Sequence, residues 1–163
     1  MMPAMVLPTD PLELLRAGSG LSIDAEGRLL HRGEPVTHAR TLEVLWRSLE
    51  RAPDGRYLVR IGRESAYVQI DDAPYGVRGV IEDPAGGTPS ILLSDGSREP
   101  LDPATLAVGT DGVLRCVVKG GHPARFGRAA QVTLGLAIEE SPPGSGRFFL
   151  MVGGARHPIR PAR

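Results

Sequence analysis

The side chains best suited to chemistry in this 163-residue chain are Arg60, Arg63, Glu64, Asp72, Tyr75, Lys119 and Arg128, a set that fits recognition of a small anion. Arginine grips a carboxylate or phosphate through a planar fork, and lysine does so as a point charge. Asp71 and Asp72 end an alternating apolar segment, so one carboxylate is expected to face inward and the other solvent. The inner one could accept hydrogen bonds from a ligand ribose or order a neighbouring arginine, but a catalytic carboxylate pair needs a common side. The same residues fit a strand-to-loop turn stiffened by Pro74. Arg115, Lys119, Arg125 and Arg128 are expected to flank the start of a helix. Backbone amides beside cations suit a phosphate there, and Gly120-Gly121 would let it approach. No P-loop spacing is present, and a Gly-Gly turn among solvated arginines accounts for the same residues.

Other reactive side chains do not assemble into a site. His31, Glu34 and His38 lack the ligand spacing of a zinc centre, so no metal is expected. Cys116, the lone cysteine, lies among apolar strand residues and reads as an inert buried thiol. Ser19 and Ser145 are flanked by glycine but lack the strand-turn-helix setting of a nucleophile elbow. Trp46 falls on an apolar helix face and reads as core. With no nucleophile-base pair, metal set or cofactor fingerprint, the chain reads as non-enzymatic and without a cofactor. Nineteen basic residues balance nineteen acidic ones, which argues against a nucleic-acid polymer as partner. Every basic residue but Lys119 is arginine, which GC-rich coding explains as well as function does. No basic segment leads into an apolar run at the start, and no run approaches the roughly 18 residues of a membrane span. A cytoplasmic location is therefore expected.

The elements that must position these residues are marked by periodicity and turns. Residues 1–20 read as an N-terminal arm with one helical turn at Leu12, Leu14 and Leu15. Leu21–Ile23 and Leu29–His31 flank Asp24-Ala25-Glu26-Gly27 as a hairpin. Ala39, Leu42, Leu45, Trp46 and Leu49 share one helical face, with Thr37 or His38 as cap and Pro53-Asp54-Gly55 as stop. Tyr57–Ile61 and residues 66–70 alternate about Gly62-Arg63-Glu64-Ser65 as a second hairpin. Residues 77–81, 90–93 and 113–119 read as strands, and Asp95-Gly96 as a tight turn. Gly120-Gly121-His122-Pro123 is expected to end a strand before a second helix. Its apolar stripe runs through Phe126, Ala130, Thr133 and Ala137, with Ala129, Val132 and Leu136 beside it. Residues 147–152 and 155–159 close as a hairpin.

Gly55-Arg56-Tyr57-Leu58-Val59-Arg60-Ile61-Gly62 lies without a gap over Gly146-Arg147-Phe148-Phe149-Leu150-Met151-Val152-Gly153. Each segment is expected to follow a helix. The chain is therefore read as α+β in two small related domains, 21–83 and 84–163, each a helix on antiparallel strands.

The stretch from Ile23 to Tyr75 resembles the bacterial family known as domain of unknown function 1285. The residues that carry the resemblance are Ile23-Asp24, Gly27, Gly33-Glu34-Pro35, Leu45-Trp46, Asp54-Gly55, Tyr57-Leu58-Val59, Glu64 and Asp71-Asp72-Ala73-Pro74-Tyr75. Val118-Lys119-Gly120-Gly121 and Gly153-Gly154-Ala155 before Pro158-Ile159 look like its closing pattern. The chain departs from the family at Gly62-Arg63-Glu64, where members show a Thr-Pro pair before the Glu. The resemblance implies two α+β domains with a nucleotide-like ligand in the cleft between them, a role in signalling, and no catalytic residues. The expected function is thus a non-enzymatic small-ligand-binding module. The alternative is a protein-interaction or scaffold unit, for which a homo-oligomer is one form.

Overall fold

The computed structural model describes residues 10–16 and 20–161; Ser19 and most of the N-terminal arm lie outside them. The chain packs as two compact units, Met1–Asp72 and Ala73–Arg163. The division falls ahead of the Asp83 loop that the sequence offered, because residues 75–81 hydrogen-bond into the second unit's sheet.

In the first unit α1 (Pro11–Arg16) precedes β1 (Leu21–Ile23), β2 (Leu29–His31) and β3 (Glu34–Pro35). Then α2 (Ala39–Arg47) leads to β4 (Leu49–Arg51), β5 (Tyr57–Ile61) and β6 (Glu64–Ile70). The six strands run in the order β3-β2-β1-β6-β5-β4, antiparallel except where β1 lies parallel to β6. Both expected hairpins are present, with Leu21 opposite His31 and Tyr57 opposite Val68. Leu14 and Leu15 of α1 are buried, and α1 packs on β6 and α2.

His38 caps α2, its Nδ1 accepting the Thr41 amide at 3.3 Å, and Thr41, Leu45 and Trp46 form the buried side. The helix is shorter than its apolar spacing implied. The Ser48 amide bonds back to the Val44 and Leu45 carbonyls, and Leu49 already belongs to β4. Pro53-Asp54-Gly55 consequently turns β4 into β5 rather than ending a helix, with Gly55 at φ 89° where a side chain would be strained.

The second unit holds β7 (Tyr75–Ile81), β8 (Ser90–Leu93), β9 (Arg98–Pro100), β10 (Ala107–Val108), β11 (Leu114–Val118) and β12 (His122–Phe126). These are followed by α3 (Arg128–Gly135), β13 (Ile138–Glu140), β14 (Phe148–Val152), β15 (Ala155–Pro158) and β16 (Arg160–Pro161). A mixed seven-stranded sheet has the order β16-β10-β11-β12-β7-β8-β9, and β13-β14-β15 form a separate antiparallel sheet. Val77, Ile91, Leu93, Cys116, Ala124 and Phe126 are buried on the large sheet, as are Ala130 and Leu134 on α3, which packs on β7. The fold is α+β. Each unit contains a helix followed by an antiparallel three-strand meander, α2 with β4-β5-β6 and α3 with β13-β14-β15.

Two expectations are corrected in this unit. Gly120-Gly121 does not lead into a helix; it closes the β11–β12 hairpin, in which Val118 lies opposite His122. Pro123 is tolerated in β12 because its partner Val117 turns its own amide away, to the Thr105 hydroxyl at 3.0 Å. Second, α3 begins only at Arg128, and Val132 and Leu136 are 65% and 84% exposed rather than buried. Ala130 and Leu134 take the core side, and a residue two positions on lies about 200° around the helix.

Candidate functional site

In the first unit Arg60 projects from β5, and its Nε donates to Glu50 Oε1 on β4 at 2.9 Å. Both side chains are about half exposed, so this pair stabilises little. Arg63 sits exposed at the β5–β6 turn without an ion pair to a described residue, and Glu64 opens β6. Asp71 and Asp72 are both exposed in the bend after β6, so neither is the inward carboxylate that alternation predicted. The bend follows directly on the last ladder position, and the Asp71 amide still donates to the Ile23 carbonyl at 3.0 Å.

The first unit also buries His31 at 2% exposure, with no hydrogen-bond partner for either ring nitrogen among the described residues. Burial, and then the charge of Arg32, push its pKa below the ordinary value near 6.5. The unfolded chain therefore binds a proton at a pH where folded His31 does not, and stability must rise with pH through the window below about 6.5. Urea unfolding followed by Trp46 fluorescence is expected to give a lower midpoint at pH 5 than at pH 7.5. His31→Phe is expected to flatten that difference; an equal slope in the variant would show that His31 is not its source.

In the second unit the structure brings Tyr75 and Lys119 together and leaves Arg128 apart. Lys119 follows β11 in the hairpin turn, whereas Arg128 begins α3 beyond the far end of β12. Five strand residues at about 3.3 Å each separate those ends. The Lys119 Nζ lies 5.5 Å from the Tyr75 ring centroid, and the Tyr75 ring meets that of His122 edge-on at 5.8 Å. The same ammonium pairs with Asp95 Oδ2 at 2.7 Å, and the Lys119 amide donates to both Glu99 carboxylate oxygens at 3.1 and 3.2 Å. Lys119 has φ 50°, a conformation that a type I′ hairpin turn imposes on a residue with a side chain. Asp95 Oδ1 accepts from the Ser97 hydroxyl at 2.6 Å and the Ser97 amide at 2.9 Å. Burial raises the Asp95 pKa, but the hydrogen bonds from Lys119 and Ser97 and the Lys119 charge outweigh it and hold the carboxyl below its ordinary value. The cluster is thus a clasp between the β8–β9 and β11–β12 turns in which the ammonium already has its anion.

Asp95 and Glu99 went unread in the sequence as partners of Lys119, as did Ser97 beside Asp95 and His122 beside Tyr75. Asp95-Gly96 marked only a turn, and the one cue was that the single lysine stands where every other cation is arginine. Cys116 is buried, and burial, with the Glu99 and Asp102 charges behind it, pushes its thiol up to about 12. It is not a thiolate near neutral pH.

The second unit also holds a cavity of about 470 Å³ lined by Leu114, Gln131, Val132, Gly135, Ile138 and Phe148 among others. Gln131, its one amide side chain, is engaged at both ends. Its Oε1 accepts the Leu114 amide at 2.9 Å and its Nε2 donates to the Gly112 carbonyl at 2.9 Å. This bridge ties α3 to β11 and to the turn before it, and leaves the concavity apolar.

The class these observations define is a two-unit α+β protein, and no helix among the described residues is long and apolar enough to cross a membrane. The fold is DUF1285-like. It is similar to that of a DUF1285 family protein from Silicibacter pomeroyi DSS-3, with TM-score 0.67 and 17% identity over 89% of this chain and 81% of that one. It is also similar to a DUF1285 family protein from Shewanella baltica OS155, with TM-score 0.57 and 20% identity over 70% of this chain and 88% of that one. No family model and no curated protein matches the chain.

Proposed function

We propose that this chain is a non-enzymatic ligand-binding module whose second unit holds a small molecule. The observation that carries the reading is the cavity of about 470 Å³, a size within the roughly 300–1,000 Å³ of small-molecule sites. The shared order of helix and meander supports reading the two units as related halves. A nucleotide-like anion and a role in signalling, which the family resemblance implies, form the finer proposal. In the second unit exposed Arg128 supports it, while Lys119 already has a carboxylate partner.

A thermal-shift screen with nucleotides, phosphorylated metabolites and uncharged apolar compounds tests this. A ligand at a hundred times its Kd adds about 2.7 kcal/mol. In a chain of this size that raises the midpoint by several degrees. The reading expects a dose-dependent rise for one compound class, and silence across all three counts against it.

The second reading, a protein-interaction unit, is favoured by the exposed pair Val132 and Leu136 on α3. It predicts a complex, with itself or a partner, that Leu136→Glu abolishes. A chain that sediments as a monomer and retains no partner on affinity capture contradicts it.

A further inference from the structure

We infer that the cavity beside α3 takes an uncharged, largely apolar small molecule, such as a fatty alcohol or a fused aromatic ring. This rests on the reading of the chain as a ligand-binding module. No charged side chain lines the concavity, and Gln131 has both polar ends bound to backbone, so an anionic or strongly polar ligand would find no partner there. The decisive residue is Gly135 at the last turn of α3. A Cβ built on it meets nothing within 4 Å, and its backbone is not in the left-handed region, so neither space nor conformation requires glycine. Glycine is among the poorest residues for a helix, and alanine the best. Gly135 lines the concavity with Val132, Ile138 and Phe148, and a side chain there would have open space to enter. The occupant is a small molecule rather than a protein, because a stable protein interface takes some 20–30 residues a side and nine residues line this concavity.

The test uses the full chain and the neutral fluorescent probe N-phenyl-1-naphthylamine, displaced by dodecan-1-ol or by adenosine monophosphate. Wild type is expected to bind the probe and release it to dodecan-1-ol but not to the nucleotide. Gly135→Trp, which fills the open space, is expected to weaken binding at least tenfold with an unchanged circular dichroism spectrum. Should that variant fail to fold, Val132→Asp, on an already exposed rim, is expected to weaken binding similarly. Val117→Asp, an exposed apolar residue on β11, is expected to leave binding as in wild type. Equal binding in wild type and Gly135→Trp overturns the inference, as does a wild-type dimer that Gly135→Trp makes monomeric. Nucleotides that raise the melting midpoint while the probe does not bind overturn it but leave the binding-module reading standing. No binding by any compound overturns both.

Discussion

Phe126→Ala is expected to destabilise the second unit by about 3–5 kcal/mol, the cost of emptying a buried aromatic site. Phe126 is 2% exposed and ends β12 opposite Val77 in parallel register. The next residue, Gly127, donates its amide to the Val77 carbonyl at 2.9 Å, and its own carbonyl accepts the Gln131 amide at 3.0 Å. The phenyl ring therefore sits where the sheet hands over to α3, and a Cβ on Gly127 would already come within 3.2 Å of the Val77 oxygen. Such a joint has little room to collapse around a cavity. Each 1.4 kcal/mol is a factor of ten. The slowest amides of β11 and β12 should thus exchange with solvent about a hundredfold faster or more in the variant. Exchange within tenfold of wild type would mean that the ring is not part of this core.

The second large effect falls on the clasp. Lys119→Ala leaves the Asp95 carboxylate, 12% exposed, without its cation. A fully buried pair broken this way loses about 3–5 kcal/mol. Lys119 keeps 29% exposure, so about 1–3 kcal/mol is expected after allowing for solvent screening. Adding Asp95→Asn should recover part of that loss, since the orphaned charge goes with it. The pH dependence follows from the direction of the shift. Folded Asp95 titrates below its unfolded value of 3.8, so its contribution is present above that pH and is lost as pH falls through the folded value. Without Lys119, burial is opposed only by the Ser97 bonds, and acid sensitivity should move to higher pH. Urea midpoints between pH 3 and pH 7 measure this; identical acid profiles for wild type and Lys119→Ala would contradict the clasp.

Local signals were legible in the sequence where a residue's neighbours decide its structure. Alternation at Tyr57, Val59 and Ile61, and the spacing of Leu45 and Trp46, gave the β5–β6 hairpin and α2, although Leu58 between the alternating residues is buried as well. The second helix was misplaced. Ala129, Val132 and Leu136 widen the apolar stripe through Ala130, but Phe126 belongs to β12, α3 starts only at Arg128, and its buried residues are Ala130 and Leu134. Gly120-Gly121 carries the same turn signal before a strand or a helix, and only the pairing of Cys116 with Ala124 settles which. The clasp was not legible because Asp95, Glu99 and Lys119 meet through the order of strands in the sheet. The cavity was not legible because no residue type marks space.

The central claim, that the second unit holds a small molecule beside α3, is tested most directly by amide chemical shifts of the labelled full chain titrated with N-phenyl-1-naphthylamine and, separately, with adenosine monophosphate. The account predicts saturable changes with the neutral probe at Gly112, Leu114, Val132, Gly135, Ile138 and Phe148, and none at Arg60 or Arg63. Changes confined to Arg63, Asp72 or Lys119, or no saturable change with either compound, would contradict it.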